Sequence, residues 1–272
     1  MEHIPEAMKR IAYTIIYNGL HHLKHELYAE RLCNALDHWI IIEGAAGNGG
    51  STSWCNMLDR SYASKDGTRE FIEDLSKKYP GKVSYRFAQK FWAGKDDMVR
   101  AAVDALILAG HKECFLWEID ADEQWLPEQM ERAEERLLRE NAKTGTFLCD
   151  YYLSHDLLAV GQWGEGNLIP YRRLWHWRGE QFAKHEPPEL EGGNGKTILI
   201  EERFKHFAFL FERDVYFKSQ YYGGHEMIYH PWLKLQLEAE RSKLEFPLHI
   251  SFLFGKKGWI GESKTYIKKI EA

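Results

Sequence analysis

With 272 residues, 44% of them hydrophobic, the chain has room for one large domain or two small ones and can bury a core. Its 36 basic and 41 acidic residues give a net charge of −5, which argues against broad nucleic-acid binding. Four scattered cysteines (Cys33, Cys55, Cys114, Cys149) form no CxxC pair, which argues against a zinc ribbon and a disulfide framework and fits a reducing compartment. The opening MEHIPEAMKR has no apolar signal core, and no run approaches the ~18 apolar residues of a membrane span. The expectation is a soluble, cytoplasmic protein.

The first element is a β-rich run, Ile11 to Tyr17, closed by the turn pair Asn18-Gly19. Leu20, Leu23, Leu27, Leu32 and Leu36 then recur at helical spacing. His21, His22 and His25 lie on the polar face of that helix; His21 and His25 have the i, i+4 spacing of a shared metal, but a solvated face is the expected role. His38 to Glu43 is a second strand ending in a carboxylate, and Glu43 is placed to accept hydrogen bonds from a nucleoside. The glycine-rich stretch Gly44 to Ser51 matches neither the GxxxxGK[ST] nor the GxGxxG phosphate pattern and reads as a mobile loop.

Thr68 to Tyr79 is amphipathic and is stopped by Pro80-Gly81; Val83 to Phe87 is a third strand. Val99, Ala102, Val103 and Leu106 stripe the next helix, with Lys95 and Arg100 near its start, where they could reach a diphosphate. A fourth strand follows, Cys114-Phe115-Leu116-Trp117-Glu118-Ile119, running into Asp120-Ala121-Asp122-Glu123. On an extended strand Asp120 and Asp122 point to one side, where their mutual repulsion is relieved by a cation such as Mg²⁺ or Mn²⁺. The alternative is a strand-to-helix junction whose acids favour the next helix N-terminus. A charged helix opens at Pro127. Alternating strands and helices with short loops predict an α/β protein with a mostly parallel sheet.

After Thr146 the texture changes to strands, around Phe147 to Leu153, Leu168 to Trp177 and Glu201 to Phe207. Trp163, Trp175 and Trp177 cluster here and are candidates to offer aromatic faces to a ligand cleft. His185-Glu186, followed by Pro187-Pro188, is a candidate acceptor base with a neighbouring imidazole. His206, inside an aromatic strand, is either a core residue or a metal ligand. Lys256, Lys257, Lys264, Lys268 and Lys269 make the C-terminus locally basic, which suggests peripheral contact with an anionic membrane surface or acceptor; a solvated terminal segment is the alternative.

A first strand ending in Tyr17-Asn18, a second ending in Glu43 and a fourth ending in FLWEIDADEQW resemble GT-A glycosyltransferases of the family 2-like kind. His185-Glu186 and the stretch IEERFKHFAFLFERDVYFK, a strand with a late histidine followed by a basic helix, are similar to the same family. Tyr221-Tyr-Gly-Gly-His225-Glu226 is also similar to the N-acetylglucosaminyltransferases that bisect N-glycans. The sequence departs from the pattern where strand two ends Glu-Gly-Ala-Ala instead of Asp-x-Gly-Ser, and where the third helix lacks an Arg-Asn pair.

The resemblance implies a GT-A, Rossmann-like nucleotide-diphospho-sugar transferase fold with a mixed, mostly parallel central sheet flanked by helices. It implies one domain over 1–272, with a nucleotide-binding half at about 8–125, an acceptor-binding half at about 126–235 and an extension at about 236–272. The implied activity is metal-dependent, inverting transfer of a hexosyl group from a nucleotide-diphosphate sugar, a UDP-sugar in the favoured case, to a glycan, protein or small-molecule hydroxyl. Asp120, Asp122 and His206 are the implied ligands of Mn²⁺ or Mg²⁺. Asp120 also serves the ribose, with Tyr17, Asn18, Glu43, Lys95 and Arg100 on the donor nucleotide. Glu186 is the expected base, with Glu226, Asp97 and Glu123 as competitors. A nucleotidyltransferase or hydrolase using the same carboxylates, or a catalytically silent sugar-binding protein, is the alternative.

Overall fold

The computed structural model describes residues 8–47, 60–160, 170–222, 225–241, 244–255 and 264–270. They fall into two compact units, one of Met1–Ala121, Leu126–Thr146 and Arg172–Ile200, the other of Asp122–Trp125, Phe147–Tyr171 and Glu201–Ala272.

In the first unit β1 (Arg10–Ile16) pairs in parallel with β2 (His38–Glu43) on one side and β4 (Cys114–Glu118) on the other. Beyond β2 lies β3 (Val83–Phe87), again parallel, and beyond β4 lies β8 (Tyr171–Trp177), antiparallel. The sheet is therefore mixed and mostly parallel, in the order β3-β2-β1-β4-β8. All of β2 and β4 is buried, as continuous apolar strands covered on both faces should be. Between the parallel strands run α1 (Leu20–Lys24) and α2 (Tyr28–Ala35), then α3 (Thr68–Lys78), then α4 (Lys95–Leu108). Met98, Val99, Ala102 and Leu106 of α4 pack with Ile11, Tyr13, Ile40, Ile42 and Leu116 of the strands. From α5 (Pro127–Arg139), buried Glu134 takes both Arg10 Nε at 2.6 Å and Trp117 Nε1 at 2.8 Å. The class is α/β, a Rossmann-like arrangement of the GT-A kind.

The single helix expected from Leu20 to Leu36 is broken. A 3₁₀ turn at His25–Leu27 intervenes, with Glu26 at φ 50° and Leu27 at φ 57°. Leu27 is 66% exposed, so it leaves the apolar stripe its spacing suggested. The break falls after His25, and His22 is buried, so the histidine-bearing side of α1 is not the wholly solvated face its spacing suggested.

In the second unit, β7 (Leu157–Val160) pairs antiparallel with the end of β6 (Thr144–Tyr152) and with β13 (Tyr266–Lys269), which in turn pairs with β12 (Leu248–His249). A short β5 (Glu123–Gln124) pairs with β11 (Thr197–His206), setting His206 opposite Glu123. Two helices, α6 (Glu212–Tyr222) and α7 (Tyr229–Glu240), complete the unit with the one-turn α8 (Ser251–Phe254). Trp232 on α7 is buried among Leu153, Leu157, Val215, Leu235 and Ile267, and its Nε1 donates to the carbonyls of Leu153 and Phe209 at 2.9 and 3.0 Å. Ile267 is wholly buried, so this part of the basic C-terminus is sheet and not a solvated tail. Lys256 and Lys257 lie outside the described residues. Among the described residues, no helix is long and apolar enough to cross a membrane.

Candidate functional site

The carboxyl ends of β1 and β2 are closed by the segment Ser61 to Thr68. Tyr17 Oη donates to the Ser61 carbonyl at 3.2 Å. Asn18, at φ 50°, gives its N–H to Ser64 Oγ and accepts the Lys65 N–H on Oδ1, both at 2.8 Å. The next N–H groups go to Thr68 Oγ1 and to Asp66 Oδ2. Glu43 is wholly buried, and both its oxygens are engaged: the Ser64 N–H and Arg69 Nε each donate at 2.6 Å. Glu43 thus anchors this segment, which corrects its expected role as an open nucleoside acceptor. Gly44 stands at φ 134°, and a Cβ there would meet the Ala88 side chain at 2.4 Å, so the turn after β2 requires glycine. The second half of the glycine-rich stretch, 48–51, lies outside the described residues.

At the end of β4 a buried polar cluster appears. Glu118, the last strand residue, accepts Tyr13 Oη at 2.5 Å. Arg173 reaches Glu118 at 3.4 Å through Nη1 and donates to Asp120 Oδ2 at 2.8 Å through Nη2. His185 Nδ1 lies 3.5 Å from Glu118 Oε1, and the His185 backbone N–H donates to Asp96 Oδ1 at 2.7 Å. Burial pushes the Glu118 carboxyl up from its ordinary value, against the opposing pull of Arg173 and His185. Burial, and then the Glu118 charge, push the Tyr13 phenol well up. Sequence reading missed Tyr13, Glu118, Arg173 and Asp96. The available signals were a carboxylate inside an apolar run and an arginine at an inward position of β8.

The strand stops at Glu118, and a turn at Ala121-Asp122 ends the two-residue alternation. Asp120 and Asp122 therefore do not extend side by side from one strand, as the spacing suggested. The Asp120 carboxylate is already compensated by the Arg173 guanidinium, which weakens its case as a direct cation ligand.

Asp122 meets other residues, in the second unit. The Phe207 N–H donates to its carbonyl at 2.7 Å, fixing the turn against the end of β11. Its Oδ2 lies 3.6 Å from His206 Nε2 and 3.3 Å from Lys218 Nζ. The His206 ring sits edge-on to Tyr151 at 4.8 Å and Tyr171 at 5.8 Å. Its Nδ1 is buried with no hydrogen-bond partner among the described residues. A carboxylate and an imidazole 3.6 Å apart are beyond hydrogen-bonding range, yet close to the spacing of two ligands on one ion with bonds of about 2.1 Å. The orphaned Nδ1 is on the other side of the ring from Asp122, so only the Oδ2–Nε2 spacing bears on an ion at this pair.

The other predicted residues have ordinary placements. Arg100 donates to the carbonyls of Phe182 and Ala183 at 3.3 and 3.4 Å, which ties α4 to β9 (Phe182–Lys184). Lys95 opens α4. Trp175 and Trp177 are wholly buried in the core, so neither offers a face to a sugar; Trp163 lies outside the described residues. Glu186 is exposed in the turn after β9, beside buried His185. His225 accepts or donates at Ser219 Oγ, 2.8 Å away, and stacks on Tyr216, while exposed Glu226 pairs with His230 at 3.2 Å. Asp97 lies 3.9 Å from Arg100, and Glu123 is wholly buried beside Trp125. Burial pushes the Cys33 and Cys114 thiols up to about 12, which suits packing and not nucleophilic chemistry.

No protein-family model matches the chain, and no curated protein matches it. Solved structures do. Against S. aureus TarS 1–349 the chain is 12% identical with a TM-score of 0.43, over 73% of this chain and 60% of that one. Against TarS 1–349 in complex with UDP-GlcNAc it is 11% identical with a TM-score of 0.44, over 73% and 58%. Against the complex with UDP it is 11% identical with a TM-score of 0.43, over 94% and 75%. The chain spans about three fifths of the first two, and at this distance no residue role passes from TarS to this chain.

Proposed function

We propose that this chain is a metal-dependent, inverting glycosyltransferase that moves a hexosyl group from a nucleotide-diphosphate sugar, a UDP-sugar in the favoured case, to a hydroxyl of a glycan, protein or small molecule. The observation that carries the reading is the Asp122–His206 pair, set 3.6 Å apart directly after the acid-rich end of β4. A Mn²⁺ or Mg²⁺ ion held there would offset the charge gathering on the leaving diphosphate. Asp120, oriented by Arg173, is assigned to the donor's ribose hydroxyls. Tyr17 and Asn18 shape the nucleotide side through the segment they hold, and Lys95 is assigned to the diphosphate. Glu186 takes the acceptor proton, and His185, its backbone N–H held by Asp96, positions the turn that carries it. A single in-line displacement inverts the anomeric centre.

The test is a panel of nucleotide-sugars with Mn²⁺, read as released nucleoside diphosphate. Wild type should release it, while Asp122→Ala and His206→Ala, folded by circular dichroism, should not. Consumption of a nucleotide or ester without nucleoside diphosphate would establish the nucleotidyltransferase or hydrolase reading instead. Donor binding without turnover would establish a silent sugar-binding protein.

A further inference from the structure

Lys218 occupies a place that neither the sequence pattern nor the proposed reaction assigns. It stands in the second turn of α6, and only 18% of its side chain is exposed. Its ammonium is held on three sides: by Asp122 Oδ2 at 3.3 Å, by the Ala208 carbonyl at 3.0 Å, and by the Phe209 ring, whose centroid is 5.7 Å away. An ammonium so far withdrawn from water needs such partners. The oxygen it takes on Asp122 is the same one that faces His206 Nε2.

We infer that Lys218 and a divalent cation are alternative partners of Asp122. Two cations cannot share that one oxygen at contact distance without strong mutual repulsion. In the ion-free protein Lys218 offsets the charge of a partly buried carboxylate. When the ion binds, the ammonium must leave Asp122, and its flexible four-carbon stem lets it turn to an incoming anion. Lys218 would then lower the affinity for bare metal and favour metal that arrives with a diphosphate. This inference rests on the metal reading above, which places the ion on Asp122 and His206.

The experiment is a Mn²⁺ titration followed by electron paramagnetic resonance, without nucleotide, on wild type, Lys218→Met, Lys218→Gln and Asp122→Asn, each checked for folding by circular dichroism. Lys218→Met and Lys218→Gln should bind Mn²⁺ about tenfold more tightly than wild type, and Asp122→Asn should bind none at this site. Adding UDP should tighten Mn²⁺ binding more in wild type than in either Lys218 variant. Should Lys218→Met fold poorly, Lys218→Gln, which can still donate to the Ala208 carbonyl, carries the same expectation. Wild type binding Mn²⁺ with the Lys218 variants binding no tighter would overturn the inference and leave the metal reading intact. Mn²⁺ binding without nucleotide by the variants but not by wild type would uphold the competition, and wild type still binding no Mn²⁺ with UDP present would overturn the metal-dependent reaction. No binding in any of them, with or without UDP, would overturn both.

Discussion

The Arg173 guanidinium donates to Asp120 at 2.8 Å while its other arm faces Glu118 at 3.4 Å, so one cation serves two carboxylates at the end of β4. Glu118 is 2% exposed and Arg173 is 5% exposed. Removing the guanidinium leaves a buried carboxylate whose remaining partners are the Tyr13 hydroxyl and the His185 ring. Arg173→Met should therefore lose about 3–5 kcal/mol of stability, the usual cost of breaking one side of a buried pair. Arg173→Met, Glu118→Gln double replacement should recover part of that loss. Urea unfolding of the three variants checks it, and a single mutant within about 1 kcal/mol of wild type would show that the pair contributes little.

His38 supplies a pH dependence. Burial first, then the neighbouring His111 and Lys9, lower its pKa to about 4. Its ring is hydrogen-bonded in the neutral form, with Nε2 at 2.8 Å from Ser84 Oγ and Nδ1 at 3.3 Å from His111 Nε2. A histidine whose folded pKa lies below its unfolded value near 6.5 disfavours the folded state as protons become available. Stability should therefore be full above about pH 6.5 and fall as the pH drops toward 4, by on the order of 3 kcal/mol from this group. Glu118, with its raised pKa, works in the opposite sense, so the difference between wild type and His38→Gln isolates the histidine. Melting temperatures from pH 7 to pH 4 should converge between the two proteins. Parallel curves would refute the assignment.

The legible parts of this fold were those where local pattern and burial agree. The runs of β2 and β4 are apolar throughout because both faces are covered, and their ends are marked by Glu43 and Glu118. The break at His25–Leu27 was hidden because Leu27 keeps helical spacing while pointing to solvent. Arg173 was invisible because its partner Asp120 is 53 residues away, and only the β4–β8 register brings them together. Lys218 was one lysine on a charged helix until the turn at Asp122 placed a carboxylate beside it. Trp175 and Trp177 misled because large aromatics serve the core as readily as a cleft.

The basic C-terminus divides into structural and exposed residues. Ile267, in β13, is wholly buried and pairs with Ala159 of β7. Ile267→Ala should cost about 2–5 kcal/mol, and deleting the chain after Gly261 should destabilise the second unit by more, because it removes a sheet strand. Truncation therefore cannot isolate an electrostatic role. Lys264 and Lys268 are exposed, and Lys264→Gln with Lys268→Gln should leave the melting temperature unchanged. If the tail meets an anionic surface, the double variant should sediment less with phosphatidylserine vesicles than wild type does at low salt. Equal sedimentation would dispose of the contact.

Glu186 and Glu226 are both exposed carboxylates following a histidine, and their settings differ. Glu186 sits in a turn whose preceding residue is buried and clamped, the His185 N–H on Asp96 and the ring beside Glu118. Glu226 is 88% exposed and is paired with His230, one turn along. A general base gains from a fixed position, since proton abstraction demands hydrogen-bond reach of the hydroxyl, so the clamped turn favours Glu186. Glu186→Gln should lose about 10²–10⁴-fold in turnover while donor affinity, measured separately by calorimetry, stays within a few-fold. Glu226→Gln should retain turnover. Asp96→Ala, which removes the acceptor for the His185 N–H, should lower turnover less than Glu186→Gln, since it loosens a position and leaves the base itself in place. The product's anomeric configuration, read by NMR, should be inverted. A Glu186→Gln enzyme close to wild type would move the role to another carboxylate, and a retained configuration would exclude single displacement altogether.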